Sequence, residues 1–314
     1  MKPAPFSWHG PRSVDEATAV LAQVGSDGKV LAGGQSLIPV LAMRLAEPAH
    51  LVDINAVADL DAVTVTPDGV RVGALVRHAA LERDRAASAA QPLLRRALAL
   101  VAHPTIRNRG TTVGSLAHAD PSGEMTSVLA LLGGTITARS AGGSREIRAD
   151  EFFLGPLESA LEPDELATAA FFPAAPAGSG SAFVEISRRH GDYALCGVGA
   201  VATLDTGGAL TALRCSYLSV SDTPLVLDLT DAWQTGQQEA AQAARLAVDP
   251  APDIHATAEY RRKLAGVLTV RAARLAIAAA AGGSNTEGSN TGGSDADMSS
   301  PATGPGSRAD QEAG

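Results

Sequence analysis

Lys29-Val30-Leu31-Ala32-Gly33-Gly34-Gln35-Ser36-Leu37, running on to Leu51-Val52-Asp53-Ile54, is the stretch that decides the fold. Lys29 to Ala32 has the make-up of a short strand, and Gly33-Gly34 turns the chain. Leu37 to Ala46 is expected to be helical until Pro48 stops it, and Leu51 to Ile54 forms a second strand. Residues 29–54 are therefore a compact strand–turn–helix–strand unit. A glycine turn that opens a helix lets a phosphate approach backbone N–H groups. A plain tight turn has the same spelling, and both readings stay open on spacing alone.

Upstream, Ser13-Val14-Asp15-Glu16 is a capping box, and apolar residues follow at helical spacing until Gly25. Downstream, Val63 to Thr66 and Val70 to Gly73 flank Pro67-Asp68-Gly69 as a hairpin. Helices are expected at 78–86, 92–102 and 124–132, with a strand at 135–139. Residues 103–123 carry three glycines, two prolines and many polar residues. They are expected as a loop, one too long to be an idle connector. Pro173 to Gly180 is the best internal boundary. Beyond it Phe183–Ser187, Ala194–Leu204 and Leu210–Val220 are expected as three strands of an antiparallel meander, closed by helices near 237–247 and 256–281. From Gly282 the sequence is Gly, Ser, Asn, Thr, Asp and Pro with one Met, a composition that cannot offset the entropy of ordering. The expected division is 1–176, 177–281 and a disordered tail at 282–314, and the expected class is α+β.

The 314 residues, 45% hydrophobic and 19% charged, have ample material for a core. A net charge of −9 argues against a nucleic-acid or anionic-membrane surface, since both need concentrated Lys and Arg. No apolar run approaches the roughly 18 residues of a membrane span. Met1 to Phe6 does not have the character of a signal peptide. A cytoplasmic protein is expected. Cys196 and Cys215 are too few for a disulfide scaffold or for a four-cysteine cluster held by this chain alone.

A second segment, Arg107-Asn108-Arg109-Gly110-Thr111-Thr112-Val113-Gly114-Ser115-Leu116-Ala117-His118-Ala119-Asp120, has the small, hydroxyl-bearing make-up of a ligand loop. It would equally suit a surface loop with a solvated arginine pair. Taken together, the two glycine segments suggest a dinucleotide held between subdomains. Gly197-Val198-Gly199-Ala200-Val201-Ala202 matches the spelling of a dinucleotide fingerprint, but it sits inside an expected strand rather than between strand and helix. Small residues packed in a strand are the better reading. His118 and Asp120 lack a third metal ligand at suitable spacing, and Ser115 lacks the glycines of a nucleophile elbow.

Leu31 to Pro39, Arg44-Leu45-Ala46 and Leu51 to Ile54 resemble the first flavin-binding stretch of the medium subunit of molybdenum hydroxylases. That group includes aerobic-type carbon monoxide dehydrogenase and the flavin domain of xanthine dehydrogenases. Arg107 to Thr111 and Ser115 to Pro121 resemble the second stretch. Arg188-Arg189-His190-Gly191-Asp192-Tyr193-Ala194 and Ala258 to Leu268 resemble the C-terminal domain. The resemblance spans about residues 1–281, with the motifs in order.

It implies an FAD-binding fold of two α+β subdomains, then a domain with a three-stranded antiparallel sheet and a helical bundle. It further implies that Ala32, Gly33, Gly34, Gln35 and Ser36, with Thr111, Thr112, Val113, Gly114 and Ser115, hold the FAD pyrophosphate and neighbouring ribityl region. Asp120 would accept hydrogen bonds from the sugar portion, and Tyr193 would lie by the isoalloxazine ring. No residue of this chain is expected to be catalytic or to bind metal. The family has Thr-x-Gly-Gly in the second stretch. Val113 stands where a glycine is usual, so its side chain is expected beside the phosphate approach. The implied partners are a small 2Fe-2S subunit and a large molybdopterin subunit, as a dimer of heterotrimers, with an external electron acceptor. The alternatives are a stand-alone flavin oxidase or reductase and a flavin-free assembly subunit, which a visible spectrum and the neighbouring genes would separate.

Overall fold

The computed structural model describes residues 2–282. The expected tail, from Gly283 onward, lies outside the described residues. The first subdomain is the anticipated unit with one strand added in front. Strands β1 (Ser7–His9), β2 (Gly28–Leu31) and β3 (His50–Asp53) form a parallel sheet in the order β1-β3-β2. Helices α1 (Val14–Val24) and α2 (Leu37–Ala42) make the crossovers. The capping box forms: Ser13 Oγ accepts from the Glu16 amide at 3.1 Å, and Glu16 reaches back to the Arg12 amide at 2.7 Å.

Helix α2 ends at Ala42, four residues short of the expected Ala46. Arg44 takes the left-handed conformation (φ +57°), and the Leu45 amide reaches back to Val40 O at 3.0 Å. This is a Schellman stop without the glycine that usually marks one, so the sequence carried no sign of it.

The second subdomain is a five-stranded antiparallel sheet. Strands β4 (Val63–Thr66) and β5 (Gly69–Gly73) are the expected hairpin. A run of helices follows: α3 (His78–Arg83), α4 (Arg85–Ala90), α5 (Pro92–Leu98), α6 (Pro104–Arg107), α7 (Thr112–His118) and α8 (Glu124–Leu132). Residues 103–123 are thus not the expected loop. Pro104 sits in the first turn of α6, where its missing amide costs nothing, and Thr111 caps α7, so both helices start on residues that also read as loop formers. After β6 (Thr135–Ser140) and β7 (Gly143–Arg148) come α9 (Ala149–Phe152) and the small ribbon of β8 (Phe153–Gly155) and β9 (Glu158–Ser159). Strand β10 (Leu166–Pro173) closes the sheet, whose order is β4-β5-β10-β6-β7. β10 is central, buried along most of its length and built mainly of Ala and Phe, so it shows no alternation to read.

The C-terminal sheet contains β11 (Ser179–Ser187), β12 (Ala194–Leu204) and β13 (Leu210–Leu218), all antiparallel, and a fourth strand, β14 (Leu225–Asp228). The expected three-stranded meander is therefore four-stranded. β14 is only four residues long and pairs at the edge, where little periodicity is needed. Helices α10 (Thr230–Thr235), α11 (Gln237–Ala247) and α12 (Ala258–Ala280) cover one face. Ala265, Ala272, Ala273 and Ala276 bury the small-residue side of α12 against this sheet. At Gly180 a Cβ would stand 2.2 Å from the Ala280 nitrogen, so only glycine permits that approach. Arg261 is buried; it donates to Leu195 O at 2.7 Å and Ser219 O at 3.0 Å and pairs with Asp253 at 2.6 Å. Its place in the recognised motif is therefore structural.

Two apolar clusters result. One joins the first two sheets with α1, α5, α7 and α8, and the other lies between the C-terminal sheet and α11–α12. Cys196 and Cys215 are buried in the second cluster, and burial pushes both thiols up to about 12. The fingerprint-like Gly197–Ala202 lies within β12, where a Cβ at Gly197 would meet Leu218 at 2.9 Å and one at Gly199 would meet Ser216 Oγ at 2.8 Å. Packing explains those glycines.

Candidate functional site

The first glycine segment leaves β2 and enters α2. Gly34 has φ +71°, a left-handed conformation that favours glycine. The Gln35 amide side chain donates to Gly33 O at 3.1 Å and braces the turn. Among the described residues, no intramolecular hydrogen bond takes up the amides of Gly33, Gly34, Gln35 or Ser36. These half-buried residues leave a row of unspent backbone donors.

The second segment packs directly on the first. A Cβ at Gly33 would lie 2.5 Å from Arg109 O and 2.8 Å from Gly110 Cα, and one at Gly114 would lie 3.9 Å from Ala32 Cβ. Here the donors are largely used. Thr111 Oγ1 caps α7 by accepting from the Gly114 amide at 3.2 Å, and Thr111 O accepts from Ser115 at 3.0 Å. The Thr112 amide donates to Val76 O at 3.2 Å, and its hydroxyl contacts His78 Nδ1 at 3.2 Å. Val113 is 2% exposed and belongs to the first core cluster. Its side chain points into the protein, contrary to the expectation that it stands beside a phosphate. A helix start turns successive side chains around the axis, which a loop reading does not capture.

Three residues that the sequence does not single out, Asn55, Arg77 and His78, tie the segments together. Asn55 follows β3 and donates to Ala32 O at 2.9 Å and to Asp53 Oδ1 at 2.6 Å. Arg77 follows β5 and donates to Arg109 O at 2.6 Å and to Asn55 Oδ1 at 2.7 Å. Burial, and then the Arg109 charge, lower the Arg77 pKa, while Asp53 opposes them. His78 is buried, its amide donates to Gly110 O at 2.9 Å, and desolvation followed by the Arg107 charge depresses its pKa to about 4. Single polar residues after strands carry no spacing signal. The positive charge at this end of α7 comes from Arg77 and Arg109, since Arg107 is buried against Glu82 at 2.9 Å and the carbonyls of Val101 and Ala102.

The other end of α7 is acidic. Ala119 is left-handed (φ +52°), and Asp120 then accepts from the Ser122 amide at 2.8 Å. The Ser219 amide donates to Pro121 O at 2.9 Å, fastening this corner to the end of β13. Tyr193 lies in the β11–β12 connection with its side chain mostly exposed. Its phenol is pushed up by the surrounding protein first and then by the charges of Asp120 and Glu124. Burial raises Glu124 to about 7 and Glu185 to about 8, the latter also through Glu124, and Glu185 Oε2 is buried without a hydrogen-bond partner. Thus the structure joins Ala32–Ser36 to Thr111–Ser115, and Asp120 to Tyr193. The seven residues of α7 set the two groups about 10 Å apart.

Residues 4–175 match the family described as FAD binding domain in molybdopterin dehydrogenase. Residues 181–276 match CO dehydrogenase flavoprotein C-terminal domain. The chain is an FAD-binding medium subunit of the molybdenum hydroxylase family. It is 39% identical to the 6-hydroxypseudooxynicotine dehydrogenase complex subunit alpha of Paenarthrobacter nicotinovorans, over 88% of this chain and 96% of that one. It is 36% identical to the carbon monoxide dehydrogenase medium chain of Afipia carboxidovorans, over 89% and 99%. Among solved structures, reconstituted CO dehydrogenase from Oligotropha carboxidovorans superposes with a TM-score of 0.84 at 35% identity, covering 88% of this chain and 99% of that one. Quinoline 2-oxidoreductase from Pseudomonas putida 86 gives 0.84 at 35%, covering 89% and 99%. Members of this family are dehydrogenase subunits, so this medium subunit is part of an oxidoreductase family.

The two segments fit the cofactor the family is named for. Unspent amides at Gly33 to Ser36 and the charge of Arg77 and Arg109, half-compensated by Asp53, suit a diphosphate.

Proposed function

We propose that this medium subunit carries FAD as the last electron-transfer station of a molybdenum hydroxylase. It receives electrons from 2Fe-2S clusters on a small partner subunit, which draws them from a molybdopterin-bearing large subunit. It delivers them to an external acceptor. The observation that carries this reading is the apposition of the two glycine segments, with free amides on one and cationic side chains beside both.

When bound, FAD supplies storage for two electrons that can be loaded one at a time. The residues of this chain bind, orient and shield it. Gly33, Gly34, Gln35 and Ser36, with Ala32 at their head, would hold the pyrophosphate through their backbone N–H groups. Thr111, Gly114 and Ser115 form the facing wall. Thr112 supports that wall from beneath, its amide and hydroxyl already engaged. Val113 contributes through its backbone, its side chain being committed to the core. Asp120 would accept from the sugar hydroxyls, and Tyr193, exposed beside Asp120, would shield the flavin ring. An elongated ligand with a charged middle and a flat, less polar end suits a basic cluster and an aromatic-bearing one separated by the length of α7.

The 2Fe-2S clusters are assigned to a partner because the two cysteines here, both buried, are too few for a four-cysteine cluster. None of the described helices is long and apolar enough to cross a membrane, and a cytoplasmic complex, a dimer of heterotrimers, is the assembly we propose. The test is to purify the full chain and measure its spectrum and metal content. A flavin spectrum at about one FAD per chain, without iron or molybdenum, is expected. A colourless protein, or stoichiometric metal, overturns the reading.

A further inference from the structure

We infer that Arg77 and Asn55 are positioning residues for the dinucleotide, a clamp that holds the two glycine segments at their working separation. The inference rests on the reading that these segments bind the FAD pyrophosphate.

Four pieces of chain meet at these two side chains. Asn55 extends from the end of the parallel sheet and holds the first segment by Ala32 O, at 2.9 Å. Arg77 extends from the antiparallel sheet and holds the second by Arg109 O, at 2.6 Å. The two side chains then bond each other, Arg77 Nη2 to Asn55 Oδ1 at 2.7 Å. Strand β3 supplies the anchor, since Asp53 Oδ1 accepts from the Asn55 side chain at 2.6 Å and from its amide at 3.0 Å.

The chemistry of each side chain is specified. Asn55 must present oxygen to Arg77 and nitrogen to both Ala32 O and Asp53. An aspartate keeps only the first of these contacts and adds repulsion against Asp53. Arg77 must reach two acceptors in different directions from one planar group, which a lysine ammonium on its flexible stem does less well. Gly33 makes such a clamp necessary. Its close approach to Arg109 O and Gly110 Cα leaves the segments in contact through backbone alone, with no side chain at Gly33 or Gly110 to interlock them. The clamp carbonyls lie at a hydrated edge, where Asn55 and Arg109 are exposed and Arg77 is half-buried. Water can replace the lost bonds there, so breaking the clamp costs the fold little. What is lost is the fixed spacing of donors that a diphosphate needs, because a preformed site avoids the ordering cost of binding.

The test uses the full chain, stripped of flavin and titrated with FAD, with melting of the apoprotein measured in parallel. Arg77→Met and Asn55→Leu should each weaken FAD binding about tenfold, the loss of roughly one charge-assisted bond. The double variant should be no weaker than about the poorer single variant, because either change opens the same clamp. Arg77→Lys should stay weak although it keeps the charge, and the apoprotein midpoints should move by no more than about 2 °C. Wild-type affinity in either single variant, full rescue by lysine, or additive losses would overturn the clamp. So would an apoprotein midpoint lowered by roughly 5 °C or more, since the residues would then hold the fold rather than the site. A wild-type chain that takes up no FAD overturns the flavin reading itself and the clamp with it.

Discussion

The two glycine segments use their backbones in opposite ways. Both open a short helix, and both look in sequence like donor-rich loops. In the first, Ser36 stands at the helix start without capping it, Gly34 is left-handed, and the amides from Gly33 to Ser36 remain unspent. In the second, Thr111 caps the helix, the amides of Thr112, Gly114 and Ser115 have partners inside the chain, and Val113 is core. One segment is built to satisfy its donors from outside the protein, the other is built to hold still beneath it. A glycine-rich spelling therefore does not say which of two paired segments keeps donors free for a ligand; the fate of the amides does.

The largest effect should come from attacking the open segment. Gly34→Val places a β-branched residue at φ +71°, and its Cβ would already stand 3.1 Å from Ile38 Cγ1 and Leu31 Cδ1. The left-handed conformation costs a β-branched residue about 2 kcal/mol, and the turn escapes by changing shape, carrying the amides away from their common target. FAD affinity should fall on the order of a hundredfold with far-UV circular dichroism unchanged, since about 1.4 kcal/mol is one decade, the strain alone exceeds that, and the misplaced amides add to it. Equilibrium dialysis measures this. Full occupancy in the variant would move the phosphates elsewhere.

The closed segment should respond in stability instead. Val113→Gly removes a side chain that is 2% exposed and puts glycine in the first turn of α7. Lost burial and helix propensity together cost about 3 kcal/mol, which lowers the melting midpoint by roughly 5–10 °C. FAD affinity should not improve, even though the variant restores the glycine usual in the family. Tighter binding after this substitution would mean that the backbone at position 113 is held back by its side chain, and the contrast between the segments would collapse.

Much of this was legible in the sequence, and the failures share a cause. The unit of residues 29–54, the β4–β5 hairpin, α11 and the long β12 are set by local signals: turn residues, alternation, helical spacing. The central strand β10 was missed because tertiary burial on both faces erases alternation. Helices α6 and α7 have the spelling of a loop because Pro104 and Thr111 start helices with the same residues that build turns. The glycine segments were found, whereas Asn55, Arg77, His78, Glu124 and Glu185 were not. Each of those matters through a partner distant in sequence: Arg77 bonds a carbonyl 32 positions away, and Glu185 faces the start of α8. Single residues of that kind have no pattern until the chain is folded.

The basic end of α7 should reveal itself in acid. His78 sits beneath the Gly110 turn, and burial holds its pKa near 4 against an ordinary value of 6.5. Below pH 6.5 the unfolded chain takes up a proton that the folded chain refuses, so the contribution of this residue to stability falls from about pH 6.5 towards pH 4, by up to about 3 kcal/mol. His78→Asn keeps a group that can meet Thr112 and removes the titration. Its melting midpoint should rise relative to that of the wild type as the pH falls from 6.5 to 5. An equal slope in both proteins would place the acid sensitivity elsewhere.

The acidic end should respond in the opposite direction and by less. Glu185 is raised to about 8 by burial and by Glu124, itself raised to about 7 by burial and then Asp120, against the opposing pull of its backbone hydrogen bond and, more weakly, of Arg107. A carboxyl whose folded pKa lies above its unfolded value keeps its full contribution below the unfolded pKa, near 4.5, and loses it as pH rises through the folded value. That contribution is lost progressively from about pH 4.5 to about pH 8, and above pH 6.5 His78, neutral in both states, no longer opposes it. Glu185→Gln keeps the shape of the protonated acid and cannot ionise. It should melt with the wild type near pH 4.5 and increasingly above it as the pH rises to about 8, by at least about 2–4 °C at pH 8.5. Because Tyr193 feels the charges of Asp120 and Glu124 rather than that of Glu185, its phenol should titrate unchanged in this variant, which ultraviolet difference spectra can follow. If the two proteins melt together across the whole range, Glu185 is hydrated and ordinary. The two ends of α7 would then differ in charge without differing in how tightly the protein closes around that charge.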